Sequence, residues 1–186
     1  MDGDFDLTLI REGIEYGILN GNERIVFIKA GAGGSYRGYE DKYLKMALAL
    51  GGRDGSTVIC ASNPSDDLSL KYDEQILREV MAGKGAPTAP KFIGISRGAY
   101  LGIIHLSERV QFDSLLLINM PLMLNYQKMT ARLAGKNATF VYGSLDPSVP
   151  YLPFLKRHCD KIVTVDGADH NFHGMLDEFV ALAGLV

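Results

Sequence analysis

The sequence predicts an α/β protein: a doubly wound, mostly parallel sheet with helices on both faces, entered through an antiparallel hairpin. Three observations carry this. Apolar runs of strand length recur at 24–30, 56–62, 91–96, 114–120, 138–143 and 161–167. They are apolar on both faces, as strands buried between two helical layers must be. Helix-period stretches separate them, and strand–helix alternation is the pattern of a parallel sheet.

The elements follow in order. "FDLTLI" (5–10) alternates, and "IEYGILNG" (14–21) resumes after Glu12-Gly13, so the pair reads as a hairpin. "RIVFIKA" (24–30) ends at Gly31. "YEDKYLKMALALGG" (39–52) carries Tyr43, Met46, Ala47 and Leu50 at helical spacing and ends on glycine. "YDEQILREVMAGKG" (72–85) opens on acids and closes on Lys and Gly, as the helix dipole favours. Further helices are predicted over 97–109, 122–135, 151–158 and 171–185. On helix 122–135, Met123, Tyr126, Thr130 and Leu133 are spaced to face the core.

With 186 residues, 47% of them apolar, the chain is expected to fold as a single domain over 1–186 with a full core of its own. A formal net charge of −3 leaves no broad basic footprint, so nucleic acid is not an expected partner. Cys60 and Cys159 form no metal-ligand or redox spacing, which suits a reducing compartment. The acidic, alternating opening "MDGDFDLTLIREG" reads as neither leader nor membrane anchor, and the expected location is the cytoplasm.

In open α/β sheets ligands sit beyond the C-terminal ends of the strands, so the loops after strands are where chemistry is sought. Gly94-Ile95-Ser96-Arg97-Gly98 lies where a strand passes into a helix. A turn that sharp strains the serine backbone and lifts the hydroxyl clear of the sheet, while the flanking glycines avoid collisions. "KAGAGGSYRG" (29–38) follows another strand. Tyr36 breaks a dinucleotide fingerprint there, and Tyr39-Glu40 breaks a phosphate loop after Gly33 and Gly38. An oxyanion hole remains, built from the N–H groups of Ala32 and Arg97. Asp146 follows strand 138–143 and His170 follows strand 161–167, which gives the chain order Ser, Asp, His. A serine hydroxyl needs a base to take its proton, and a histidine base needs a carboxylate to fix its tautomer. His173 is the rival base, and Asp166 and Asp169 are the rival acids. No H-E-x-x-H motif and no dense His/Asp/Glu cluster points to a metal.

These loops resemble those of the α/β-hydrolase family. "GISRG" is similar to its nucleophile elbow, "KAGAGGS" to its oxyanion loop, "GSLDPSVP" to its acid turn and "GADHNF" to its histidine turn. The resemblance implies an eight-stranded sheet, which the hairpin and six runs supply. It also implies a nucleophile at Ser96, an acid at Asp146, a base at His170 and no cofactor. Ala30 stands where the family's loop usually has histidine. Only 121–137 spans the gap where larger members insert a cap, so an open site without a cap domain is expected. Met120 and Leu122, at a strand end, are candidates to touch an acyl group, and Tyr36 and Arg37 to meet a polar or anionic one. The expected activity is hydrolysis of a small ester, thioester or lactone by way of an acyl-serine, with the acyl substrate and water as partners and neither nucleic acid nor membrane among them. The alternative is a non-catalytic binding or partner protein on the same scaffold, since fold does not dictate function.

Overall fold

The computed structural model describes residues 3–85 and 89–186. Met1 and Asp2, part of the opening stretch read as carrying no leader, lie outside the described residues. The hairpin forms from β1 (Leu7–Arg11) and β2 (Ile14–Leu19), turning at Glu12-Gly13 with positive φ at both residues. The apolar runs become β3 (Ile25–Lys29), β4 (Thr57–Ala61), β5 (Lys91–Ile95), β6 (Ser114–Ile118), β7 (Ala138–Gly143) and β8 (Ile162–Val165). All eight make one sheet in the order β1-β2-β4-β3-β5-β6-β7-β8. The β1–β2 and β2–β4 pairings are antiparallel, and every pairing from β4 to β8 is parallel.

Alternation along each strand divides the core in two. Phe27, Phe92, Leu117 and Phe140 point to one face. Val26, Ile28, Ile93, Leu116 and Val141 point to the other. The first face is covered by α2 (Lys71–Gly83), α3 (Arg97–Leu101), α4 (Ser107–Arg109), α5 (Tyr126–Leu133) and α6 (Leu152–Leu155). The second is covered by α1 (Lys42–Asp54) and α7 (Leu176–Ala181). A π-helical turn, Gly102–Leu106, joins α3 to α4 and makes one rod of the stretch read as a single helix. Between β6 and β7 only α5 intervenes, and no cap domain is inserted. Met123 precedes α5 and is 62% exposed, so it is not the core residue its spacing suggested. Among the described residues no helix is long and apolar enough to cross a membrane.

Candidate active site

Ser96 stands between β5 and α3 with φ 50° and ψ −121°, a conformation a non-glycine residue occupies only under constraint. Its own amide supplies part of that constraint by donating to Ile118 O of β6 at 2.8 Å. The glycines on either side supply the rest. A Cβ on Gly94 would lie 2.4 Å from Ala99 Cα, and one on Gly98 would lie 2.3 Å from Ala30 O. The elbow therefore packs helix and oxyanion loop against the strand more closely than any side chain allows.

The three residues far apart in sequence meet at one imidazole. His170 Nε2 lies 2.8 Å from Ser96 Oγ, and His170 Nδ1 lies 2.5 Å from Asp146 Oδ2. A carboxylate only accepts, so the proton between them sits on Nδ1, and Nε2 is left as the acceptor facing the serine hydroxyl. The Asp146 side chain has no solvent exposure, and its other oxygen accepts the Ser148 amide at 2.7 Å. The imidazole is 37% exposed and faces the open side.

Asn119, which the sequence did not single out, ties the late turns together. Its side-chain oxygen accepts the Gly143 amide at 2.9 Å, and its nitrogen donates to His170 O at 2.8 Å. Fully buried and at φ 48°, it links β6, the acid turn and the histidine turn. Its signal was a polar residue closing an otherwise apolar run. Asn63 does the same for the oxyanion loop. Its side chain donates to Ala30 O at 2.9 Å, its carbonyl accepts Gly33 N at 2.8 Å, and its amide reaches Gly34 O at 2.9 Å. Beneath lies a wholly buried ion pair, Lys29 Nζ to Asp73 Oδ2 at 2.7 Å, with Lys29 also donating to Ser62 O at 2.7 Å. Burial pushes the Asp73 carboxyl up, and the Lys29 ammonium pulls it back. Among the described residues, neither the Ala32 amide nor the Arg97 amide has an acceptor.

The other candidates fall elsewhere. Met120 and Leu122 are 0% and 3% exposed and belong to the core, and neither is among the residues that line the cleft over Ser96. Tyr36 packs against Phe5 in a tilted pair with ring centroids 5.5 Å apart. The Arg37 guanidinium is held between Asp4 at 2.6 Å and Asp41 at 2.8 Å, which leaves it committed to protein carboxylates. The Arg97 side chain reaches away to Pro64 O, Ser65 O and Asp67 O. His173 pairs with Asp169 at 2.7 Å and not with Ser96, and that contact holds the Asp169 carboxyl down at about 2. Ser144 Oγ donates to Asp166 at 3.3 Å. Cys60 is buried and its thiol is pushed up by desolvation, which makes it unreactive.

A cleft of about 260 Å³ opens over Ser96 and His170, with Ala32, Tyr39, Lys42 and Asn171 in its walls. A hollow of about 400 Å³ at the opposite end of the strands, near Arg24, Lys91 and Asp113, has no histidine among its described lining residues; the Ser56 hydroxyl there donates to Asp54.

No family model and no curated protein matches the sequence. Solved structures do match in fold. An α/β serine hydrolase homologue from Coxiella burnetii aligns with a TM-score of 0.74 at 17% identity, covering 96% of each chain. XC6422 from Xanthomonas campestris, described as an α/β serine hydrolase without lid, aligns at 0.64 and 17% identity over 100% of this chain and 94% of its own. A thioesterase domain from the curacin biosynthetic pathway aligns at 0.70 and 13% identity, covering 99% of each chain. Full-length superposition on these structures, with the mostly parallel eight-stranded sheet and the bare β6–β7 gap, means that the chain has the α/β-hydrolase fold in its form without a cap domain.

Proposed function

We propose that the chain is a serine hydrolase that cleaves a small ester-like substrate (carboxylic ester, thioester or lactone) through an acyl-enzyme on Ser96. One observation carries this: a single imidazole is hydrogen-bonded to a strained serine on one side and a buried carboxylate on the other.

The chemistry follows from that geometry. Ser96 Oγ attacks the carbonyl carbon as its proton passes to His170 Nε2, and the Nδ1–H bond to Asp146 steadies the imidazolium. Negative charge gathers on the carbonyl oxygen, where the unpaired amides of Ala32 and Arg97 donate to it. The α3 N-terminus, which begins at Arg97, adds a favourable field. The tetrahedral centre collapses, the C–O or C–S bond to the leaving group breaks, and His170 returns its proton to the departing oxygen or sulfur. Water, deprotonated by the same imidazole, then attacks the acyl-serine carbon and releases the acid. Every step runs on side chains and amides of this chain. The open cleft admits water directly, which suits hydrolysis.

The test is labelling by a fluorophosphonate probe. Wild type should label at Ser96 and Ser96→Ala should not, with kcat on simple acyl esters lower by roughly 10⁴–10⁶ in the variant. A well-folded wild type that neither labels nor turns over acyl esters of any chain length is instead a binding protein on a hydrolase scaffold.

A further inference from the structure

Among the described residues that line the cleft over Ser96 there is one lysine and no arginine, and that lysine has no carboxylate of its own. Lys42 opens α1 and lines the cleft together with Ser96 and His170, yet the residue is only 8% exposed. Its Nζ donates to Asn171 O at 3.0 Å, the carbonyl of the residue after the histidine. Two aromatic faces lie beside it, Phe179 at 4.9 Å and Tyr43 at 5.5 Å. Among the described residues no carboxylate lies within ion-pair distance of it. The nearest to act on it through space is Asp169, which is taken up by the His173 ring and by the amides of Asn171 and His173.

An ammonium has three N–H groups, and only one of these is used. Burying the charge with two donors unspent costs free energy that the ring faces offset only in part. Burial holds the group below the usual lysine range. Among the described residues that line the cleft there is no carboxylate. The Tyr39 ring, 64% exposed, stands on the same wall, and Ser35 lies beside it. The wall is built at a cost. Gly38, Glu40 and Asp41 all have positive φ (74°, 52° and 58°), and Arg37 clamps Asp41 from behind. Arg37, the other cation nearby, is spent on Asp4 and Asp41.

We propose that Lys42 is a specificity-determining residue that receives a carboxylate on the acyl portion of the substrate, so that the preferred substrates are short, singly charged half-esters or half-thioesters of dicarboxylic acids. This rests on the serine-hydrolase reading given above. A volume of about 260 Å³ suits an acyl group of a few carbons. The carboxylate would take the free N–H groups of Lys42 while the ester carbonyl lies at Ser96.

Hydrolysis of monoethyl glutarate and of its neutral counterpart ethyl hexanoate, followed by ethanol release, tests this. In wild type the ratio of kcat/KM, charged over neutral, should exceed about tenfold, the scale on which a charge-assisted hydrogen bond discriminates. The ratio should collapse towards one in Lys42→Met and Lys42→Gln, be retained at least in part by Lys42→Arg, and shrink in wild type as salt rises. A purely structural lysine would lower both rates and leave the ratio alone. Turnover of both esters without preference, or a preference that survives in Lys42→Gln, overturns the proposal and leaves the serine chemistry standing. If the fluorophosphonate does not label and neither ester is cleaved, the catalytic reading fails, and calorimetric titration of glutarate into wild type at low salt decides the anion site by itself. Binding that is absent in Lys42→Gln sustains it; no binding ends it. Should both neutral variants fail to fold, the wild-type ratio decides: a preference that shrinks with salt supports the site, and one near unity or indifferent to salt overturns it.

Discussion

Removing the Lys29 ammonium is the sharpest test of how the oxyanion loop is supported. Lys29 and Asp73 both have 0% side-chain exposure, and their contact is 2.7 Å. In Lys29→Met the Asp73 carboxyl stays buried and must either remain charged without a partner or take up a proton. Protonating a carboxyl of ordinary pKa about 3.9 at pH 7 costs about 4 kcal/mol (3.1 units at 1.36 kcal/mol each), which caps the penalty. That agrees with the roughly 3–5 kcal/mol for breaking a buried pair from one side. For a chain of this length it corresponds to a fall in Tm of roughly 8–16 °C.

The sign of the pH dependence separates this from a packing defect. With its folded pKa raised, Asp73 in the variant destabilises most above the unfolded value, and the deficit shrinks as pH falls. At pH 5 the cap drops to about 1.5 kcal/mol by the same arithmetic. Asp73→Leu should show no such recovery, because a stranded ammonium gains nothing from added protons. Urea unfolding of both variants at pH 7 and pH 5, followed by circular dichroism, measures the difference. The double variant Lys29→Met/Asp73→Leu should regain most of the loss. A Lys29→Met deficit under about 1 kcal/mol at pH 7, or one that does not move between the two pH values, would refute the buried-pair reasoning.

Asp146→Asn should fold normally yet lose about 10⁴ in kcat, since an amide no longer fixes the imidazole tautomer; a steady-state assay on an acyl ester checks this. Gly98→Ala drives a Cβ against Ala30 O and should cost on the order of 10²-fold in kcat by shifting the oxyanion loop, read from the same assay beside an unfolding curve. His173→Gln should leave kcat within about twofold, because His173 is exposed and bonded to Asp169 and not to Ser96. Asp169, held at about 2, contributes stability that is present above its unfolded value near 4 and is lost as pH falls towards 2. Tm measured from pH 5 to 2 should therefore fall more steeply in wild type than in Asp169→Asn.

Much of this molecule was legible because its chemistry is local to strand ends. "ATFVYG" is β7 residue for residue, and the elbow, acid turn and histidine turn each lie where an apolar run stops. The run pattern counts strands but says nothing of how they neighbour one another, so the crossing of β3 and β4 is visible only in the folded chain. Partnerships across the sequence were equally hidden. Lys29 closes an apolar strand, and Asp73 opens a helix whose acids were explained by the dipole; only the fold brings them together. Asn119 and Asn63 looked like strand-end polar residues until the fold gave each three hydrogen bonds to neighbouring loops. That Met120 and Leu122 pack in the core was also hidden, because an apolar side chain at a strand end faces either layer or solvent depending on register, which a single strand does not reveal.

The placement of β3 between β4 and β5 has a bearing on biosynthesis. Both of its sheet neighbours emerge from the ribosome after it does, as does Asp73. A nascent chain that stops short of residue 95 thus holds Lys29 without its complete setting, and the loop that follows has no elbow helix to rest on. The loop after β3 is thus made early and takes its shape only once β5 and α3 have followed it out.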